Sequence, residues 1–166
     1  ISNLFDSSPS VRPLARVALV HKDSFRRRFR TGNKFEKEVV ELVKRSAAEA
    51  SEGLANALVV ARAAVLGDAR LARFLDNTIL YNDKPIAAVA TVFQQQSGGR
   101  QQRELAVTYP NLQKDLSSLG VSLILIADGP GIQDTSERAL QLLIDGVRFP
   151  MTVSQAESGM LVEAMQ

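Results

Sequence analysis

The sequence has no cysteine and no tryptophan, and its one histidine is His21. Without cysteine there are no disulfides, no thiolate nucleophile and no cysteine-ligated zinc, a pattern expected of an intracellular protein. A hydrolase triad would have to run through His21, and no Gly-x-Ser-x-Gly elbow accompanies it, so a surface or packing role is expected there. Walker loops and Rossmann glycine fingerprints are also missing. Long apolar runs are absent: the longest, residues 121–127 with Ser122 inside it, is strand-sized and far short of the roughly 20 residues of a membrane helix. The first nine residues, Ile-Ser-Asn-Leu-Phe-Asp-Ser-Ser-Pro, are too polar for a signal peptide. Neither sign of charge dominates, with 20 Lys and Arg against 18 Asp and Glu.

What is present is enough for one domain. A chain of 166 residues with 45% apolar content can bury a proper core. It begins with Ile and is expected to be a piece of a longer chain, with partner domains elsewhere. Charge is balanced overall but uneven along the chain. Arg26, Arg27, Arg28 and Arg30, with His21, Lys22, Lys34 and Lys37, form a basic N-terminal region. Such a patch holds phosphates by charge alone; a solvated face is the other reading. Residues 1–31 are therefore expected as a basic lead-in, and residues 32–166 as a single core.

Periodicity sets the expected elements. Phe35, Val39, Leu42 and Val43 form a helical stripe over 34–50. Leu54, Leu58, Ala61 and Val65 suggest a second helix over 54–66, and 69–75 one or two further helical turns. Residues 78–81 and 86–93 read as strands joined by the turn Asn82-Asp83-Lys84-Pro85. A polar loop with Gly98-Gly99 follows. A helix is expected over 103–119, broken or kinked by Pro110. Residues 121–127 read as a strand buried on both faces. A helix over 134–144, capped by Asp134, Thr135 or Ser136, precedes a short strand at 149–153 and a last helix over 154–165. The expected fold class is α/β, a mixed sheet flanked by helices.

Four features bear on chemistry. Asp76 stands just before the hairpin. Gly98-Gly99-Arg100 with Arg103 offers close backbone approach and cationic side chains to a phosphate, or is a flexible hairpin exit. Gln94, Gln95, Gln96, Gln101 and Gln102 are groove or phosphate contacts, or a solvated loop. Asp128-Gly-Pro-Gly131 is a turn closing a buried strand. It also looks like the D-x-G-x-G box of the gyrase, heat-shock and histidine-kinase ATPases, with Glu52-Gly-Leu-Ala-Asn56 as the partner box. The interval from Asn56 to Asp128 is long for that family, and a later Gly-x-Gly lid is missing.

The order of an acidic residue, a strand hairpin, a Gly-Gly-Arg loop, a helix and a buried strand ending in Asp128-Gly129 resembles the nuclease core of type II restriction endonucleases, the PD-(D/E)xK type. The resemblance covers roughly residues 34–153. It implies a restriction-endonuclease-like α/β fold, double-stranded DNA as partner, Mg²⁺ as cofactor and a homodimer or partner domains for cutting both strands. It implies Asp76 and Glu36 as metal ligands, and Arg26, Arg27, Arg28, Arg30, Gly98, Gly99, Arg100 and Arg103 as DNA contacts. The strand after the hairpin should carry an acid and, two residues on, a lysine. Counting from Asp76 points to Ala90 and Val92, which bind no metal and orient no water. The implied site is thus disabled at Ala90, with Gln94 as the nearest polar substitute. A non-catalytic DNA-binding or assembly module on the same fold is the alternative, and an ATP-binding domain a third.

Overall fold

Phe35, Val39, Leu42, Val43, Ala47 and Ala50 recur every three or four residues and are all buried, so the first long segment winds into a helix with one face inward. In the computed structural model, which describes residues 32–96 and 98–166, this is α1, Gly32–Ser51. The basic cluster Arg26, Arg27, Arg28 and Arg30 and the single histidine His21 lie outside the described residues.

A five-stranded mixed sheet with spatial order β1-β2-β3-β4-β5 follows. Its strands are β1 Val59–Arg62, β2 Asn77–Tyr81, β3 Lys84–Phe93, β4 Ser122–Asp128 and β5 Phe149–Met151. The β1–β2 and β2–β3 pairs are antiparallel, and the β3–β4 and β4–β5 pairs parallel. Asn82 and Asp83 at the β2–β3 turn both have positive φ, 51° and 61°. That is the two-residue turn whose twist matches antiparallel strands, and Asn and Asp tolerate it. A bulge between Ile79 and Leu80 uses up one extra residue of β3.

Helices cover both faces. Ala87, Val89, Ile124 and Ile126 pack with α1 and the C-terminal helical segment, whereas Ala88, Ala90, Val92, Leu123 and Leu125 pack beneath a second layer. That layer begins with α2, Ala69–Ala72, whose first turn is capped by the Asp68 carboxylate. It continues with α3 Gly99–Arg103, a π-helical turn Glu104–Thr108, and α4 Tyr109–Ser118. After the short α5, Pro130–Gln133, it ends with α6, Glu137–Gly146. The C-terminal segment is α7 Val153–Gln155, a second π turn Ala156–Met160, and α8 Leu161–Met165.

Two expectations change. Residues 54–66 do not form a helix. Val59–Arg62 adds to the free edge of β2, and Ala63–Leu66 makes a 3₁₀ turn. Non-local strand pairing overrides the helical spacing, and Val65, which completed the stripe, is 51% exposed. Pro110 does not break its helix. The preceding turn widens so that Tyr109 N–H donates to the Glu104 carbonyl five residues back. The wider turn accommodates a residue that lacks an N–H and crowds the turn before it. Ser136, one of three cap candidates, caps α6 by accepting from the Ala139 N–H.

Candidate active site

The two strands of the hairpin differ in length, and the difference makes the site. Pairing of β2 with β3 ends at Asn77 opposite Val89, while β3 runs on to Phe93 bonded only to β4. The last residues of β3 therefore have an open edge on the β2 side. Asp76 fills the first place on it. Its N–H donates to the Val89 carbonyl at 2.8 Å, and its Oδ2 accepts from Thr91 N–H at 2.8 Å and Thr91 Oγ1 at 3.0 Å. The N–H that β2 would have bonded is taken by a carboxylate.

Thr91 thus marks the face of β3 that meets Asp76. Ala90, the position picked by counting for the acid, turns to the other face, whereas Val92, picked for the lysine, packs on that face and also borders the cleft. Ala90 is fully buried beside Leu105 and Leu125, and Val92 is buried there too. Successive residues of a strand alternate between faces, so Thr91 and Phe93 share the α1 side with Val89. Phe93 stacks at a tilt on Phe35 of α1, ring centroids 5.3 Å apart.

Glu36, exposed in the first turns of α1, lies close enough that its charge is felt at Asp76. The Asp76 carboxyl is solvent-exposed on one side, yet its pKa is raised above the ordinary 3.8. Partial burial is the main cause, and the Glu36 charge adds to it; the Thr91 hydrogen bonds act the other way. Among the described residues, no group of three or more acidic, histidine or cysteine side chains clusters as a metal site.

Beside Thr91 opens a cleft of about 520 Å³, lined by residues 91–93, the Gln94–Gln96 turn, Arg100, Gln101, Glu104 and Tyr109. Tyr109 is nearly buried. Its hydroxyl is bonded to the Glu104 carboxylate, and burial, followed by the charges of Glu104 and Asp76, pushes its pKa well above 10. It is a neutral phenol at any physiological pH. Thr91, Glu104 and Tyr109 were not singled out from the sequence. Thr91 was the detectable one, as the sole polar residue between Pro85 and Gln94.

Gln94 is 4% exposed. Its N–H donates to the Asp128 carbonyl at 3.0 Å, its carbonyl accepts from Gly131 N–H at 2.7 Å, and its Nε2 donates to the Gln101 carbonyl at 3.2 Å. Its Oε1 is buried with no hydrogen-bond partner among the described residues. The Asp128-Gly-Pro-Gly131 turn holds this segment. A Cβ on Gly129 would sit 2.4 Å from the Gln94 carbonyl oxygen, and one on Gly131 2.5 Å from that of Gln96. Asp128 itself is fully buried and accepts from Gly129 N–H at 2.8 Å. Asn56 bonds Asn82 at the hairpin tip, so the two boxes of the ATPase reading stand at opposite ends of β3, roughly 30 Å apart.

Gly98 is the extended residue before α3, and Gly99 begins that helix. A side chain at Gly99 would meet nothing within 4 Å, so local packing does not demand glycine there. Arg100 faces the cleft, and Arg103 lies one turn further along, over a neighbouring groove.

The family model described as DpnII restriction endonuclease matches residues 18–163, nearly all of this architecture. No curated protein matches the chain, and no solved structure does.

Proposed function

The chain belongs to the DpnII restriction endonuclease family, and from that premise we propose that it is a PD-(D/E)xK-type domain engaging double-stranded DNA at the cleft beside Asp76. The observation that carries this reading is the open edge of β3, with the Asp76 carboxylate bonded to its first free N–H. A phosphodiester entering there meets Asp76 and Glu36 on one side and Arg100 and the Gln94–Gln96 turn on the other.

Mg²⁺ is the cofactor this nuclease type implies. Two carboxylates and several waters are a usual set for it, and a cation would offset the repulsion that the Glu36 charge adds at Asp76. Asp76 and Glu36 would hold the ion. Bound there, it would polarise the phosphate and lower the pKa of a water. The remaining roles belong to the chain. Thr91 fixes the Asp76 carboxylate through Oδ2, leaving Oδ1 for the ligand. Arg100 offers a charge-assisted bond to a phosphate oxygen. Tyr109, neutral and bonded to Glu104, walls the cleft.

The acid and lysine of this nuclease type are missing whichever register is taken. By counting they fall at Ala90 and Val92; by the face that meets Asp76 they fall at Thr91 and Phe93. Lys84, at the far end, is the only charged residue of β3. With no second strand carboxylate and nothing to orient water, cleavage should be slow or absent. The same gap favours a second reading, a non-catalytic DNA-binding or assembly module on this fold. Two DNA strands call for two clefts, so cutting would require a homodimer or partner domains.

The test is fluorescence anisotropy on duplex DNA over a salt series, together with plasmid nicking in Mg²⁺ or Mn²⁺. Expected are salt-sensitive binding and little cleavage. Efficient metal-dependent nicking would contradict the missing-ligand argument, and no binding at low salt would remove the DNA reading altogether.

A further inference from the structure

A second basic surface lies next to the cleft. Helix α2 and the first turns of the α3–α4 rod enclose a groove of about 290 Å³, lined by Arg70, Arg73, Phe74, Arg103, Val107 and Asp115 among others. Three guanidinium groups share it with one carboxylate. Arg70 and Asp115 approach to 3.7 Å with both side chains well exposed, a pairing of little strength in water. Arg73 lies over the Phe74 ring, 4.6 Å from its centroid. Among the described residues, neither Arg73 nor Arg103 makes an ion pair. Phe74 and Val107, 37% and 43% exposed, supply the apolar part of the wall.

The groove and the cleft are lined by neighbouring residues of the same helical rod. Arg73 and Phe74 immediately precede Leu75 and Asp76 in the chain, and Arg103 follows Arg100 by three residues, on the same side of one helix. A polyanion held at Asp76 and Arg100 would extend over Arg103 and then over Arg73 and Arg70.

We propose that Arg70, Arg73 and Arg103 hold the sugar–phosphate backbone of duplex DNA beside the reactive phosphate. The inference rests on the DNA reading above. Guanidinium groups match phosphate oxygens two at a time. The Phe74 ring props the Arg73 group from behind, which limits the freedom lost on binding and leaves an apolar surface for a deoxyribose.

The experiment is anisotropy with a duplex oligonucleotide in EDTA over a salt series, comparing the original chain with Arg70→Ala/Arg73→Ala and with the control Lys44→Ala/Arg45→Ala. The control removes the same charge from exposed positions on α1. Each lost phosphate contact should lower the slope of log affinity against log salt by about 0.9, which at 0.1 M salt is about eightfold in affinity. The α2 double variant should therefore lose between about eightfold and sixtyfold, and the control far less. Arg70→Lys/Arg73→Lys should recover most of the slope. Inorganic phosphate at matched ionic strength should not displace the duplex; if it does, the groove takes small anions and the proposal falls. Should the double variant unfold, Arg73→Gln alone is expected to lower the slope by about one contact, and an unchanged slope overturns the proposal. If the original chain binds DNA but the α2 variant matches the control, the inference fails while the DNA reading survives. If the original chain does not bind, both fail.

Discussion

Ala90→Glu and Thr91→Glu place the same carboxylate on neighbouring residues of β3, and opposite outcomes are expected. Ala90 has no exposed surface and lies among Leu105, Leu116 and Leu125. A carboxyl buried there without a partner would have its pKa raised by about 3–5 units, so at pH 7 it takes up a proton and the cost is limited to about 4 kcal/mol. Overpacking adds about 1–3 kcal/mol. That sum rivals the roughly 5–15 kcal/mol stability of an ordinary domain, so this variant should be largely unfolded. Thr91 is half-buried at the cleft. Its replacement loses the Oγ1 bond to Asp76 but keeps the backbone N–H bond, a cost of about 1 kcal/mol at a partly exposed site. It also brings a further carboxylate to Asp76 and Glu36, which should tighten Mg²⁺ binding. Urea denaturation reads the first effect, calorimetric Mg²⁺ titration the second, and plasmid nicking the consequence for cleavage. An Ala90→Glu chain that folds within 1 kcal/mol of the original and nicks plasmid, beside a silent Thr91→Glu chain, would refute the assignment of faces. Nicking by Thr91→Glu alone would identify the register; silence there with tightened metal binding would point to Phe93, where a lysine is missing.

Two further outcomes are expected. The Asp76 pKa is higher in the folded chain than its ordinary 3.8, so the folded state holds the proton more tightly. Ionisation of Asp76 therefore costs stability above the folded pKa, and the cost disappears as pH falls below about 3.8. Asp76→Asn should raise the thermal midpoint at pH 7 and converge on the original chain near pH 3.5; parallel curves across that window would rule the strain out. Gly129→Ala combines a φ of +109° with a backbone oxygen 2.4 Å from the new Cβ, whereas Gly120→Ala has a φ of +72° and open space. The former should cost about 3 kcal/mol or more and the latter about 1 kcal/mol in urea denaturation; equal costs would mean that the Gln94 turn gives way freely.

Elements with local causes were legible in the sequence. The α1 stripe survives because one helix face packs inward, and the β2–β3 turn because Asn82 and Asp83 accept positive φ. The run in β4 was readable because that strand is covered on both faces. The edge strand β1 was not, because Leu54, Leu58, Ala61 and Val65 fit a helix and only the free edge of β2, distant in sequence, decides otherwise. Pro110 signalled a disturbance without saying that a π turn would absorb it. In the site, Asp76 lies near Glu36 and beside Thr91, whose cleft is also lined by Gln94 and Arg100. Counting from Asp76 could not give the face of each β3 residue. The bulge at Ile79 and Leu80 consumes one residue, and Asp76 leaves the ladder to bond Thr91 with its side chain. Arg73 and Arg70 were passed over because the groove they line exists only once α2 is laid beside α4.

Several features at this end of the sheet act against stability, in a chain whose β3 lacks the expected acid and lysine. Asp76 is held partly buried and beside a like charge. Gln94 keeps a buried Oε1 without a partner among the described residues, a group whose desolvation costs about 1–3 kcal/mol. Gly129 adopts a backbone conformation that few other residues tolerate, so that its turn can lie against Gln94. A fold that had lost its use for this end of the sheet would gain by replacing Asp76 with an apolar residue and Gln94 with leucine. Strain concentrated at one cleft is characteristic of ligand-binding sites. On the reading proposed above, two properties of the chain come apart: the cleft keeps a shape and charge suited to a phosphodiester, while β3 carries neither the acid nor the lysine of that nuclease type.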